Sequence, residues 1–115
     1  MEEKSIFEKI RDREVPADII YEDEQCLCFH DISPQAPVHA LLVPKKRIHR
    51  IGVVQPSDSD VLGHIITKVP EIVGTLGIAE SGFRLVVNNG KDGGETVPHL
   101  HIHILGGRAL QWPPG

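Results

Sequence analysis

The sequence predicts an α+β domain: a five-stranded antiparallel sheet covered by one long helix, with a second, short helix near the N-terminus. Three observations predict it. Five short runs rich in β-forming residues are separated by turn-forming residues. A single stretch, Val61 to Leu76, carries apolar residues at helical spacing. The chain has 115 residues, enough for one domain that buries roughly 65% of its unfolded surface.

The elements follow in order. Ser5 precedes an apolar stripe and Glu8 stands three residues on, a capping-box pattern that starts a helix over residues 6–12. Val15-Pro16-Ala17 ends it, and Ile19-Ile20-Tyr21 is the first strand. Cys26 to His30 is the second strand. Pro34 and Pro37 fix a loop before the third, His39 to Val43, which Pro44 stops. Pro56-Ser57-Asp58 opens the long helix, whose stripe is Val61, Leu62, Ile65, Ile66, Val69, Ile72, Val73 and Leu76. Pro70 lies inside that stripe and should kink or split it, and Gly77 is suited to the cap. Phe83 to Val87 is the fourth strand, Asn88 to Glu95 a Gly- and Asn-rich loop, and Leu100 to Leu105 the fifth strand. No composition shift divides residues 1–115 into more than one domain.

Composition narrows the function. A net charge of −4 argues against a nucleic-acid or anionic-membrane coat. Five aromatic residues argue against a stacking platform for single strands. No apolar run approaches the ~18 residues of a membrane span. Met1-Glu2-Glu3-Lys4 leads into an amphipathic stretch, so no secretory signal is expected. Cys26 and Cys28 then suit a reducing, cytoplasmic setting. They are expected as small core residues, the alternative being a soft-metal site shared with His30. Lys45-Lys46-Arg47 reads as a solvated strand end, with phosphate contact as its alternative.

The distinctive feature is histidine: seven in the chain, three of them in the run His99-Leu100-His101-Ile102-His103. Strict alternation in a strand sends Leu100, Ile102 and Ile104 to a core and the three imidazoles to the other face, about 6.6 Å apart. A uniform imidazole row is a poor packing face but a good polar site. His39 joins it if the two strands are neighbours. Three chemistries fit the spacing: a zinc site, nucleophilic or acid–base catalysis on an anion, and satisfied structural histidines. The preceding loop, Asn88 to Gly94, offers backbone N–H groups of the kind that cradle phosphate oxygens, which favours the second.

His99-Leu100-His101-Ile102-His103-Ile104-Leu105 resembles the His-φ-His-φ-His-φ-φ motif (φ being apolar) of the histidine-triad superfamily. Phe29 to His39, Val43 to Lys46, Gly93-Gly94, Leu105 to Arg108 and Trp112 to Gly115 resemble its Hint branch. The resemblance implies a homodimer in which two five-stranded sheets join into ten strands. It implies a purine nucleoside phosphoramidase acting on AMP or GMP linked to an amine, with no metal and no other cofactor. His101 matches the nucleophile that becomes a covalent nucleotidyl-imidazole, its other nitrogen held as N–H by the backbone around His99. His39, His99 and His103 would bring positive charge and hydrogen bonds to the phosphoryl oxygens. Asp31 matches the acceptor of both ribose hydroxyls, and Ile6, Phe7, Ile32 and Leu41 the purine wall. Asn88 matches a residue near phosphate and ribose, Gly94 belongs to the phosphate-side loop, and Thr96 matches a donor to the scissile nitrogen or phosphate. Trp112 matches the aromatic that reaches the partner subunit's leaving-group side.

Glu95 departs from the family's usual Gln, and a carboxylate there repels phosphate unless protonated or turned away. Pro98 replaces a common aromatic, and Pro70 is unusual in the helix. The competing functions are a dinucleoside polyphosphate hydrolase of the Fhit type, a nucleotide-binding module without turnover, and a zinc protein. His30, His49 and His64 are left as packing or solvated imidazoles.

Overall fold

The computed structural model describes residues 2–115. Its sheet has five strands, all paired antiparallel: β1 (Ile19–Glu22), β2 (Cys26–His30), β3 (Val38–Pro44), β4 (Phe83–Val86) and β5 (Ile102–Gly106), in the order β1-β2-β3-β5-β4. The helices are α1 (Ile6–Arg11), α2 (Ser59–Thr67) and α3 (Val69–Thr75). Two short 3₁₀ turns, Ile51–Val53 and Pro56–Asp58, lead into α2. None of the described helices is long and apolar enough to cross a membrane.

Period-two alternation assigns the two faces of the sheet. Cys26 and Cys28 of β2, Ala40 and Leu42 of β3, and Ile102 and Ile104 of β5 face one way. They pack on Ile65, Val69, Ile72 and Val73, the i, i+4, i+7, i+8 stripe of α2 and α3. Leu27, Phe29, Leu41 and Val43 face the other way and pack on Phe7 and Ile10 of α1. The short helix therefore covers part of the second face. The His39 and His103 positions of β3 and β5 belong to that same face, since His103 is paired with Leu41.

Local chemistry explains the breaks. Pro70 splits the expected long helix at Lys68, because proline has no N–H to donate and its ring crowds the carbonyl one turn back. Its fixed φ then suits the first turn of α3. Gly77 follows the α3 cap at φ 75°, a left-handed turn that a Cβ would strain. Ile66, expected in the core stripe, is 50% exposed because it stands about 100° round α2 from the fully buried Ile65. β5 begins at Ile102 rather than Leu100. Pro98 cannot join a ladder, and the Leu100 N–H donates instead to the Ile48 carbonyl at 2.6 Å.

Several side chains have partners that proximity in sequence does not suggest. Lys45 pairs with Glu22 at 2.8 Å and Lys46 with Asp58 at 2.7 Å. Arg47 donates to the Glu3 and Pro98 carbonyls and to Glu8. The basic cluster thus ties elements together and offers phosphate no free cation. His64 is half-buried and meets Asp23 at 2.6 Å, holding α2 against the β1–β2 turn rather than standing solvated. Exposed His49 meets Glu2 at 2.8 Å. Cys26 and Cys28 are free, fully buried thiols packed in the apolar core, where burial pushes both up to about 12.

Candidate active site

On the α1 face of the sheet lies a cavity of about 300 Å³. Its walls are apolar: Ile6, Phe7 and Ile10 from α1, Val15 beyond it, Phe29 from β2, Leu41 from β3 and Val97. Asp31, Ile32 and Thr96 also line it, and Ile32 is 97% exposed. The imidazoles of His101 and His103 line it too, their ring centres 5.0 Å apart. A small polar end on a mostly apolar slot suits a flat organic group carrying an anion.

Hydrogen bonds set the proton positions on all four histidines. The first chain starts at α1. The Ser5 hydroxyl accepts from the Glu8 N–H at 3.0 Å and lies 2.7 Å from His99 Nδ1. The Pro44 carbonyl, 2.8 Å from His99 Nε2, can only accept, so Nε2 carries the proton and the Ser5 hydroxyl donates to the bare Nδ1. The His99 carbonyl in turn accepts from His101 Nδ1 at 2.7 Å. That leaves His101 Nε2 as a lone pair.

The second chain starts in the Pro-rich loop. The Gln35 N–H donates to His39 Nδ1 at 3.0 Å, so His39 carries its proton on Nε2. That N–H donates to His103 Nδ1 at 2.9 Å, with Asp31 Oδ2 3.3 Å away. His103 therefore keeps its proton on Nε2. Of the two imidazoles that line the cavity, His101 is left with a lone pair and His103 with an N–H.

Electrostatics differ from expectation. Burial lowers His39 and His99 below the usual imidazole range. Burial, reinforced by His101 and His39, lowers His103 to about 4, against a smaller opposing pull from Asp31. At neutral pH these three are neutral, so they act through N–H groups and not through positive charge. His99 does not reach the phosphoryl side at all. It is 1% exposed with both ring nitrogens engaged, so it supports His101 from behind.

Other expected contacts are also redirected. The Glu95 carboxylate takes two bonds from Arg50, at 2.8 and 3.0 Å, and one from the Gly90 N–H. Arg50 holds it down to about 2. It is ionised, turned away, and spent on closing the glycine loop. Asn88 donates to the Gly93 carbonyl at 2.7 Å, so it too shapes that loop and lies outside the cavity lining. Within the loop Gly93 is required: a Cβ there would sit 2.4 Å from the Asn89 carbonyl oxygen. Gly94 stands beside it at φ 80°, also outside the lining. Trp112 is 83% exposed and makes no part of the cavity.

Ile10, Val15, Phe29 and Val97 are wall residues that motif reasoning passed over. Ile10 was findable, standing one helical turn from Ile6 and Phe7, and Phe29 was findable by alternation with Leu27. Ser5 caps α1 as its spacing to Glu8 predicts, and its contact with His99 is one that local spacing does not show. Among the described residues, two groups place potential metal donors within 4.8 Å of one another: Asp31, His39 and His103, and Asp23, Cys26 and His64. In the first, the proton shared by His39 and His103 occupies the space between their nitrogens. In the second, the Asp23 carboxylate already accepts from Tyr21, His64 and two backbone N–H groups.

A family model described as "HIT domain" matches residues 12–110. The chain belongs to the HIT domain family. An uncharacterized HIT-like protein of Synechocystis sp. is 54% identical over 115 residues, all of both chains. Among solved structures, the HIT domain superposes on a HIT family hydrolase from Legionella pneumophila with a TM-score of 0.94, at 44% identity, covering 97% of this chain and 100% of that one. It also superposes on a histidine triad protein from Clostridium difficile, TM-score 0.90, at 40% identity over 96% and 97% of the two chains.

Proposed function

We propose that this HIT domain is a purine nucleoside phosphoramidase of the Hint type. It hydrolyses the phosphorus–nitrogen bond of an amine linked to AMP or GMP. The observation that carries the reading is His101: its Nδ1 is held as N–H by the His99 carbonyl, and the ring lines a cavity of about 300 Å³. A fixed tautomer aims one lone pair without a conformational search. The Legionella neighbour, a HIT family hydrolase, supports hydrolysis as the class of reaction.

The purine would lie between the α1 side chains, Phe29, Ile32 and Leu41, with the ribose hydroxyls donating to Asp31. His101 Nε2 attacks the α-phosphorus. The new N–P bond forms as the P–N bond to the amine breaks, and its electron pair leaves on the amine nitrogen, which takes up a proton. Water then attacks phosphorus, breaks the Nε2–P bond and releases the nucleoside monophosphate. The His103 Nε2–H and the Thr96 hydroxyl would donate to the non-bridging oxygens, where charge concentrates. Neutral donors suit a negatively charged product that must leave.

A homodimer completes this reading. β4 is an edge strand, and Phe83, Leu85 and Val87 alternate along it at 38–39% exposure. Pairing two such edges would give ten strands, cover this apolar row and give Trp112 a partner surface. A cytoplasmic location is part of the same proposal.

The test is incubation of the purified protein with an adenosine phosphoramidate. Stoichiometric release of AMP and amine is expected, together with a nucleotidyl-protein trapped by rapid quench and a mass in light scattering of two chains. Preferential cleavage of a diadenosine polyphosphate would favour the Fhit-type alternative. Tight AMP binding with no cleavage of either substrate would make it a binding module.

A further inference from the structure

We infer that Ser5 is a positioning residue for the His101 nucleophile, a role that rests on the proposed reaction. Its hydroxyl bonds the ring of His99, whose backbone carbonyl holds Nδ1 of the nucleophile. Ser5 is 7% exposed and lies 94 residues from His99, yet their side chains meet at 2.7 Å.

A hydroxyl has one proton to give. The Pro44 carbonyl takes the proton of His99 Nε2, so in the neutral ring Nδ1 is bare and receives the Ser5 proton, while the Ser5 oxygen also accepts from the Glu8 N–H. The Pro44 carbonyl selects the His99 tautomer, and the ring is pinned at both edges, by Ser5 and by that carbonyl. A ring held on both sides fixes its own backbone, and it is that backbone carbonyl which holds His101 Nδ1.

The same segment touches the nucleophile by a second route. The Phe7 ring meets His99 edge-on at 5.6 Å and His101 at 4.9 Å between ring centres. Arg47 joins the two ends of the arrangement, donating to the Glu3 carbonyl on one side and to the Pro98 carbonyl, next to His99, on the other. The N-terminal turn is thus a wall of the cavity and also the part that sets the nucleophile's orientation.

Capping and positioning are separable by variant. Ser5→Ala removes both the cap and the proton donor. Ser5→Asp keeps a capping acceptor and removes the donor, which guards against a variant that merely fails to fold. Ser5→Thr keeps both. Glu8→Ala weakens the capping box and leaves the hydroxyl in place. With an adenosine phosphoramidate, Ser5→Ala and Ser5→Asp are expected to lose about 10- to 100-fold in kcat with little change in KM, as misaimed reacting groups do. Ser5→Thr should restore kcat, and Glu8→Ala should raise KM through the loosened wall while keeping kcat.

Nitrogen-15 NMR of the histidine rings reads the same point without substrate. Wild-type His101 should show a single Nδ1–H tautomer, and Ser5→Ala and Ser5→Asp should show a mixture. If both variants keep that single tautomer, or share the KM-only effect of Glu8→Ala, Ser5 is a helix cap and the inference is overturned. If no variant, wild type included, cleaves phosphoramidates while the tautomers shift as expected, the reaction assignment fails and the positioning role stands.

Discussion

Replacing His101 with alanine is expected to lower phosphoramidate turnover by roughly 10⁴-fold or more, the scale on which loss of a covalent nucleophile acts. None of His39, His99 and His103 can take over. His99 is buried with both nitrogens engaged, and His39 lies behind His103 and is also bonded at both. His103 is the nearest ring, yet its Nδ1 accepts from His39, so it presents an N–H where a lone pair is needed. Circular dichroism should show the fold retained, since His101 contributes one hydrogen bond at the end of the sheet. Single-turnover kinetics with the variant should form no nucleotidyl-protein. A variant within tenfold of the wild-type rate would exclude His101 as the attacking group.

A loss of stability in mild acid is the second large expectation. His39, His99 and His103 all have folded pKa values below the imidazole range, His103 at about 4. Above about 6.5 the folded and unfolded states are both neutral at these positions. As pH falls below that value the unfolded chain takes up protons that the folded protein refuses. Stability is therefore full above pH ~6.5, falls on acidification, and for His103 goes on falling until its own value near 4 is passed. Each such ring contributes a slope of up to about 1.4 kcal/mol per pH unit within its window. Urea unfolding at pH 7, 6 and 5 measures this, and NMR titration assigns it ring by ring. Carboxylates are a small term there, because unfolded Asp and Glu titrate below about 4.5. Equal midpoints at pH 7 and 5 would mean that the imidazoles are not held neutral.

The residues differ in how legible they were. Alternation placed Leu27 and Phe29 opposite Cys26 and Cys28, and Ile102 opposite His103, because period-two geometry is local to each strand. The proline rule placed the break in the helix, and the capping-box spacing placed α1. Asp31, Ile32, Thr96 and the α1 wall residues Ile6 and Phe7 all line the cavity together with Leu41, His101 and His103. Glu95, Asn88 and Gly94 do not, because Arg50 and the Gly93 carbonyl claim the first two and the loop folds upon itself. Arg50 stands 45 residues from Glu95, and nothing in local spacing names it as the partner.

The histidine row shows most clearly where sequence stops. Its pattern determined the chemistry: imidazoles on a strand face, apolar residues beneath, a permissive glycine loop beside them. Only the tertiary structure decided which cavity-lining imidazole keeps a lone pair. A tautomer is set by the partner of each ring nitrogen, and these partners are the Ser5 hydroxyl, the Pro44 and His99 carbonyls, and the Gln35 N–H. Burial decided the charge, turning three expected cations into neutral rings, because an imidazole's proton affinity depends on what surrounds it. Periodicity is a property of neighbours along the chain; hydrogen-bond partnership and solvation are properties of neighbours in space.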